Sequence, residues 1–140
     1  MCRSRSILIT LLLLFGMCCT KKIVAQGQKF FDRDSSLITG NWTGSSLCQA
    51  KSSSCQDETV QYNILEGDSG IYRVTMSKIV KGKSNFMGTL DCTYDESTKT
   101  LSSNENGKIW QFTMKHATID GILIWRAQLY RKIHLERNEH

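Results

Sequence analysis

The chain has 140 residues, of which 18 are Lys or Arg and 13 are Asp or Glu, giving a formal net charge of +5 at pH 7. This length allows at most one ordinary domain. Four of the basic residues lie within residues 1–26, which contain no acidic residue, so the rest of the chain carries 14 basic against 13 acidic residues. The near-neutral charge of the chain after residue 26 gives no evidence of a basic face that binds nucleic acid, and we expect no nucleic-acid partner.

Residues 1–26 have the pattern of a secretory signal peptide. Arg3 and Arg5 precede an apolar run at residues 7–19, which is shorter than the roughly 20 apolar residues that a membrane-spanning helix needs. We expect cleavage near Ala25 and a secreted or periplasmic protein.

A lipid anchor at Cys18 or Cys19 is the alternative interpretation of this segment. A bacterial lipobox normally has a small residue directly before the modified cysteine, whereas here Met17 and Cys18 occupy that position. The sequence therefore favours simple export. Contact with a membrane is expected only if the protein is lipidated.

After a polar segment at residues 27–36, apolar and polar residues alternate along most of the chain. Turn signals such as EGDSG at residues 66–70 and KGKS at residues 81–84 interrupt the alternation at regular intervals. The spacing of a long amphipathic helix is absent from the sequence. The pattern predicts eight strands, at about residues 38–48, 58–66, 70–80, 85–94, 99–104, 107–115, 117–125 and 127–136.

Short strands joined by turn-length connections favour antiparallel hairpins. An open meander of such strands has two exposed edges, and closure into a barrel removes both of them. We therefore predict an all-β, eight-stranded antiparallel up-and-down barrel at residues 37–136, followed by a tail at residues 137–140. We expect the protein to be a monomer.

Cys48, Cys55 and Cys92 are the cysteines that follow the leader. In an oxidising compartment, Cys48 and Cys55 can close a small disulfide loop through CQAKSSSC. Cys92 is in phase with apolar neighbours, as a buried thiol would be, but a bridge from Cys92 to either of the other two stays open. Three irregularly spaced cysteines are not a usual metal site, and we expect neither a metal nor another cofactor.

The histidines give little support for catalysis. His116 lies in a predicted turn and His134 on the outward phase of the last strand, and no local motif places a Ser or Cys beside either of them. The sequence also lacks a phosphate-binding loop, an HExxH motif and a nucleophile elbow. We predict that the protein is not an enzyme.

The last strand contains a charged residue on its predicted inward face. In QLYRKIHLE, Arg131 lies between the inward-facing Leu129 and Ile133. In a closed barrel this strand pairs with the first strand, which carries GNWTG. We expect the Arg131 guanidinium to stack on the indole of Trp42, a contact worth about 0.5–2 kcal/mol.

These two strands resemble those of the lipocalin and calycin barrels. GNWTG matches their Gly-x-Trp motif at Gly40 and Trp42, and Arg131 matches the basic residue that stacks on this Trp from the last strand. The chain is also similar to small exported lipocalin-like proteins of uncharacterised function from Bacteroidetes-type bacteria, over MGTLDCTYDESTKTL, IWQFTMKHATIDGILI and LYRKIHL. The resemblance implies a closed barrel in which Gly40, Trp42 and Arg131 have structural roles.

The predicted inward face is rich in aromatic and apolar side chains. An eight-stranded barrel either holds one small ligand or is filled by its own side chains. We expect non-catalytic binding of a small hydrophobic or aromatic ligand inside the barrel. The alternative is a filled barrel that acts as a protein-interaction or inhibitor module through its loops. The predicted ligand contacts are Tyr62, Tyr72, Met76, Phe86, Leu90, Trp110, Phe112 and Trp125.

Overall fold

The computed structural model describes residues 35–51 and 54–138. The predicted signal peptide, the alternative lipidation sites at Cys18 and Cys19, and most of the polar N-terminal segment lie outside the described residues. The described part begins with a one-turn helix and continues as eight strands: α1 (Ser35–Ile38), β1 (Gly40–Cys48), β2 (Glu58–Glu66), β3 (Ile71–Val80), β4 (Lys83–Asp95), β5 (Thr100–Glu105), β6 (Lys108–Met114), β7 (Thr118–Trp125) and β8 (Gln128–Arg137).

The eight strands form a closed antiparallel barrel in up-and-down order, as predicted. Each strand pairs with its neighbour in sequence, and β8 pairs with β1 from Cys48↔Arg131 to Trp42↔Arg137. At Gly44 an added Cβ would overlap the backbone oxygen of His134. The closing pair of strands is therefore packed so closely that this position of β1 requires a glycine.

Up-and-down connectivity gives the barrel two distinct ends. The helix end carries α1, the turns that follow β2, β4 and β6, and the C-terminal end of β8. The loop end carries the long β1–β2 connection and the turns that follow β3, β5 and β7. These three turns each have two residues in the left-handed region, at Lys81–Gly82, Asn106–Gly107 and Arg126–Ala127, as expected for tight hairpins.

The helix-end half of the barrel is filled by its own side chains. Branched aliphatic residues from several strands meet there around the Trp42 indole, which is completely buried. Ile38 of α1 covers this end, and its backbone oxygen accepts a hydrogen bond from Trp42 Nε1 at 3.0 Å. The other members of this packed half include Ile64, Val74, Leu101, Ile119 and Leu135.

The disulfide joins Cys48 to Cys55, as predicted, and closes the connection between β1 and β2. A carboxylate oxygen of Asp57 also accepts a hydrogen bond from the backbone N–H of Cys48 at 2.8 Å. Cys92 is a free thiol in the core, and burial raises its pKa to about 12. The alternative bridges through Cys92 are therefore excluded, and the thiol acts as a small apolar group.

The prediction that Arg131 stacks on Trp42 is wrong, because Arg137 makes this contact. The Arg137 Cζ lies 4.4 Å from the centroid of the Trp42 ring. Its Nη1 donates to the Thr39 oxygen at 2.9 Å, and its Nη2 donates to the Leu37 oxygen. Residues 131 and 137 share the inward phase of β8, so alternation did not distinguish them; the register places Trp42 opposite Arg137.

Gly40 lies beside the same contact. Its φ of +128° is unfavourable for residues with a side chain, and an added Cβ would lie 3.1 Å from Arg137 Nη1. The Gly-x-Trp segment thus provides both the backbone conformation and the space that Arg137 needs. Arg131 is in contact with other residues, at the loop end.

The prediction that Phe86 points into the barrel is also wrong. The pairing of β3 with β4 passes from Met76↔Gly88 to Ser77↔Phe86, so Met87 is an extra residue in β4. Such a bulge reverses the inward and outward phases of the residues on one side of it relative to those on the other, and Phe86 precedes Met87 in β4. Phe86 is 69% exposed as a result.

Candidate functional site

A cavity of about 290 Å³ occupies the loop-end half of the barrel. Its lining combines apolar, aromatic and charged side chains from seven of the strands with the turn between β5 and β6. Because the helix-end half is packed, the cavity is restricted to one half of the interior. The lining residues are Ser46, Glu58, Tyr62, Met76, Met87, Gly88, Thr89, Leu90, Glu105, Asn106, Lys108, Trp110 and Arg131.

Aromatic side chains form the floor of this cavity. Tyr62 meets Phe112 edge to face, with ring centroids 6.0 Å apart, and Trp110 stacks on Phe112 with the same centroid distance. Tyr62 and Phe112 are fully buried, whereas Trp110 is only half-buried. Burial raises the pKa of Tyr62 well above its ordinary value, so its phenol is neutral at physiological pH. Tyr62 can therefore offer both a hydrogen-bond donor and an acceptor.

Apolar side chains form much of the wall. Met76 and Leu90 are 6% and 5% exposed, and both lie beside Trp110 on the cavity surface. Met87, the extra residue of the β4 bulge, lies nearer the mouth and is 40% exposed. A methionine fills irregular space easily, so this wall can adapt to the shape of a bound molecule.

Arg131 provides the polar side of the cavity. Its Nη1 lies 3.2 Å from Glu58 Oε2 and donates to Ser46 Oγ at 3.1 Å. The same nitrogen also donates to the backbone oxygens of Ser46 and Gln56. An inward-facing arginine on β8 is thus balanced by an inward-facing glutamate on β2, which explains the charged residue on the apolar side of the last strand.

The ion pair between Arg131 and Glu58 is largely shielded from water. The side chains of these two residues are only 14% and 21% exposed. Lys78 Nζ lies 3.5 Å from the other carboxylate oxygen of Glu58, so the glutamate bridges two cations. Interactions of charges in such surroundings are stronger than those on the surface, because little water screens them.

The barrel wall beside the cavity is incomplete between β4 and β5. These strands pair through Thr93↔Ser102, Tyr94↔Leu101 and Asp95↔Thr100, all toward the helix end. Farther toward the loop end, Gly88–Leu90 and Glu105–Asn106 face the cavity from opposite sides. Because this seam is short, it leaves room for a lateral opening next to the mouth.

The structure brings together some of the sequence-predicted ligand contacts. Tyr62, Met76, Leu90 and Trp110 line the cavity, and Phe112 supports them from below. The other three predicted contacts, Tyr72, Phe86 and Trp125, lie outside the cavity lining.

Tyr72 lies at the helix-end start of β3 and packs against Tyr94, with ring centroids 5.9 Å apart. Phe86 is on the outer surface. Neither of these two residues lines the cavity.

Trp125 lies on the rim at the end of β7, outside the cavity lining. Its ring meets Tyr130 edge to face at 5.2 Å, and the Arg126 Cζ lies 4.7 Å from the Trp125 centroid. Alternation places Trp125 inward, but the pairing of β7 with β8 shifts between Leu123 and Ile124, so the rim is irregular there.

Sequence reasoning missed the polar residues of the cavity, chiefly Ser46 and Glu58. A signal for Glu58 is present in the alternation, because it shares the phase of Val60, Tyr62 and Ile64 at the start of β2. Arg131 was noticed for the same reason, because it is a charged residue at a position where the alternation predicts an apolar, inward-facing one. Two such residues of opposite charge indicate an ion pair inside the barrel.

A second group of polar residues lies on the outer surface of β7 and β8. His134 Nδ1 lies 2.7 Å from Asp120 Oδ1, and Lys115 pairs with the other oxygen of this carboxylate. Lys115 and, to a smaller degree, His134 lower the pKa of Asp120. The group is exposed to water and lies outside the cavity lining, so its contribution is to surface electrostatics.

The described part of the chain contains no group of three or more His, Cys, Asp or Glu residues that could hold a metal ion. It also contains no helix with the length and hydrophobicity needed to cross a bilayer. Searches with the sequence found no matching family model and no matching curated protein.

Proposed function

We propose that the protein is an exported, lipocalin-like barrel that binds a small aromatic molecule in its loop-end half and does not transform it. The cavity of about 290 Å³ beside an otherwise packed interior carries this proposal. Ligand sites usually have volumes of about 300–1,000 Å³, and this cavity lies just below the lower limit of that range, so it suits only a small ligand. The Cys48–Cys55 disulfide supports export, because disulfides persist in oxidising compartments.

The contact between Trp42 and Arg137 supports a relationship to the lipocalin and calycin barrels. A basic residue from the last strand stacks on the Trp of a Gly-x-Trp motif in the first strand, next to the point of closure. Arg137 makes the contact with Trp42 that the sequence resemblance assigned to Arg131. Arg131 can therefore line the ligand cavity instead.

The chemistry of the cavity indicates a ligand with an aromatic ring and a neutral polar group. Trp110 offers a ring face, and Met76 and Leu90 offer apolar contacts. Arg131 and Glu58 already neutralise one another, so a charged ligand would have to compete with their ion pair. A hydroxyl or amide can donate to Glu58 and accept from Arg131 without leaving either charge unpaired.

A second candidate is a protein-interaction or inhibitor module that acts through the loops. The packed helix-end half and the exposed Phe86 and Leu129 support it. This candidate requires no occupant of the cavity. Filling the cavity by mutation would therefore abolish ligand binding but leave the interaction with a partner protein unchanged.

Tryptophan fluorescence tests the proposal with a built-in control. In a titration with a panel of small aromatic alcohols and amides, a ligand in the cavity should change the emission of Trp110. The response should persist in the Trp125→Phe variant and disappear in Trp110→Phe, since Trp125 lies outside the cavity. Native mass spectrometry of protein purified from its own host should show a co-purifying small molecule.

Leu90→Phe provides an independent test because it adds volume to the cavity wall. We expect at least about tenfold weaker binding of any ligand found in the panel, with the far-UV circular dichroism unchanged. An absence of co-purifying ligand together with no response across the panel would contradict the proposal. Equal affinity of wild type and Leu90→Phe would place the ligand outside the cavity.

A further inference from the structure

The two ends of the barrel differ in charge. At the helix end, the turns and the strand residues next to them carry Glu66, Asp68, Asp95, Glu96 and Glu136 against Lys99, Lys115 and Arg137. At the loop end, five exposed basic residues in the corresponding positions outnumber the acidic residues Asp57, Glu58 and Glu105. These basic residues are Lys51, Lys81, Lys83, Lys108 and Arg126.

Exposed apolar side chains are concentrated in the same, basic half. Leu37 and Leu65 are the large exposed hydrophobic residues near the helix end, within the described part of the chain. The others belong to the loop-end half of their strands, and Phe86 is the most exposed of them at 69%. This loop-end set is Leu47, Val80, Phe86, Met87, Ile109 and Leu129.

We propose that the loop end of the barrel binds to the surface of an anionic lipid bilayer. Basic residues near such a surface are attracted by its negative potential, and apolar side chains gain by leaving water for the headgroup region. The four connections of the loop end leave the same end of the barrel, so they can contact one extended surface together. Each connection or its adjoining strand residue supplies at least one basic side chain.

A bilayer fits these observations better than a single protein partner does. The basic residues are spread over four separate connections instead of being grouped in one groove, and the exposed apolar side chains belong to the strand segments near these connections. The sequence alone linked membrane contact to lipidation at Cys18 or Cys19, whereas this surface needs no lipid chain. The docking requires no ligand inside the barrel, although Met87 and Lys108 of this surface also line the cavity.

Binding to vesicles tests the proposal with charge-neutralising variants at the two ends. The full chain is used throughout, so any contribution of residues 1–26 is the same in every sample. Lys81→Gln with Lys83→Gln changes the loop end, and Lys99→Gln with Lys115→Gln is the matched control at the helix end. Lys81 and Lys99 both have left-handed backbones, with φ of 52° and 54°, so the two variants carry a similar conformational change.

Co-sedimentation is measured with phosphatidylcholine vesicles, with and without phosphatidylglycerol. We expect tight binding only with phosphatidylglycerol, about thirtyfold weaker binding for the loop-end variant, and little change for the helix-end variant. Phe86→Ser should also weaken binding several-fold, whereas Leu65→Ser, an exposed change near the opposite end, should not.

Wild-type binding that does not depend on phosphatidylglycerol would overturn the proposal. Equal losses at the two ends, or unchanged binding in both variants, would also overturn it, since another part of the chain would then carry the interaction. None of these results bears on the proposed ligand, because none of the four lysines of the vesicle test lines the cavity.

Discussion

The two halves of the barrel use the same alternating strands for different purposes. In the helix-end half, the inward positions hold Trp42 and branched aliphatic residues, and little space is left between them. In the loop-end half, inward positions hold Ser46, Glu58 and Arg131, which cannot pack like hydrocarbons. One half therefore provides most of the stability, and the other keeps a cavity with hydrogen-bonding groups.

The two inward-facing arginines of β8 show the difference between the packed half and the half with the cavity. Arg137 lies over the Trp42 ring and donates to backbone oxygens around α1, so it closes one end. Arg131 pairs with Glu58 and faces the cavity near the other end. The same residue type in the same phase of one strand thus has a structural role at one end and a binding role in our proposal at the other.

The largest contrast is expected between tryptophans of the two halves. Trp42→Ala should lower the free energy of unfolding by about 3–5 kcal/mol, because it leaves a large cavity in the packed half. Trp125→Ala should cost about 1 kcal/mol, since Trp125 is half-buried on the rim. Urea denaturation followed by circular dichroism measures both values. Equal costs would contradict the division into a packed half and an open half.

Replacement of each arginine by methionine should separate stability from binding. Arg137→Met should destabilise the protein by about 1–3 kcal/mol, because it removes the contact with Trp42 and leaves backbone oxygens without their donor. It should leave ligand affinity unchanged. Arg131→Met should weaken ligand binding about tenfold or more and destabilise less, since its side chain adjoins the cavity.

The loss of stability in Arg131→Met has a specific cause that a second mutation can test. Without Arg131, the largely shielded Glu58 loses one of its two cationic partners. Adding Glu58→Gln should recover about half of the lost stability without restoring ligand binding. Strict additivity of the two mutations would show that the residues do not interact.

The smallest contrast concerns the outer surface, where water screens the charges. Lys115 and His134 lower the pKa of Asp120, so the contribution of this carboxylate to stability is present above its unfolded pKa of about 4 and is lost as pH falls through its folded pKa. Asp120→Asn should cost about 0.5 kcal/mol or less at neutral pH, and this difference should shrink as the pH is lowered below about 4. Urea titrations at neutral and acidic pH measure it. A difference that grows in acid would contradict the sign of the pKa shift.

The sequence predicted the closed barrel because alternation and turn composition are local properties. The predicted strand at residues 58–66 coincides with β2, and the disulfide between Cys48 and Cys55 was predicted from their spacing and the expected compartment. Alternation also identified Tyr62, Met76, Leu90 and Trp110 as inward-facing, and all four line the cavity.

The errors occurred where position depends on the pairing between strands. One extra residue at Met87 turned Phe86 outward, and alternation alone did not reveal it, although a glycine inside a strand, here Gly88, often marks a bulge. Arg131 was assigned to Trp42 because the inward phase is shared by Arg131 and Arg137, and only the register between β1 and β8 selects one of them.

By itself, the sequence determined how many strands there are, which residues alternate and that the ends must be joined, because these depend on neighbouring residues and on the cost of exposed edges. The tertiary structure alone decided which arginine meets Trp42, which aromatic residues leave the interior and where space remains. The reason is that register, bulges and packing arise from contacts between residues distant in sequence, and those contacts leave little trace in the local sequence.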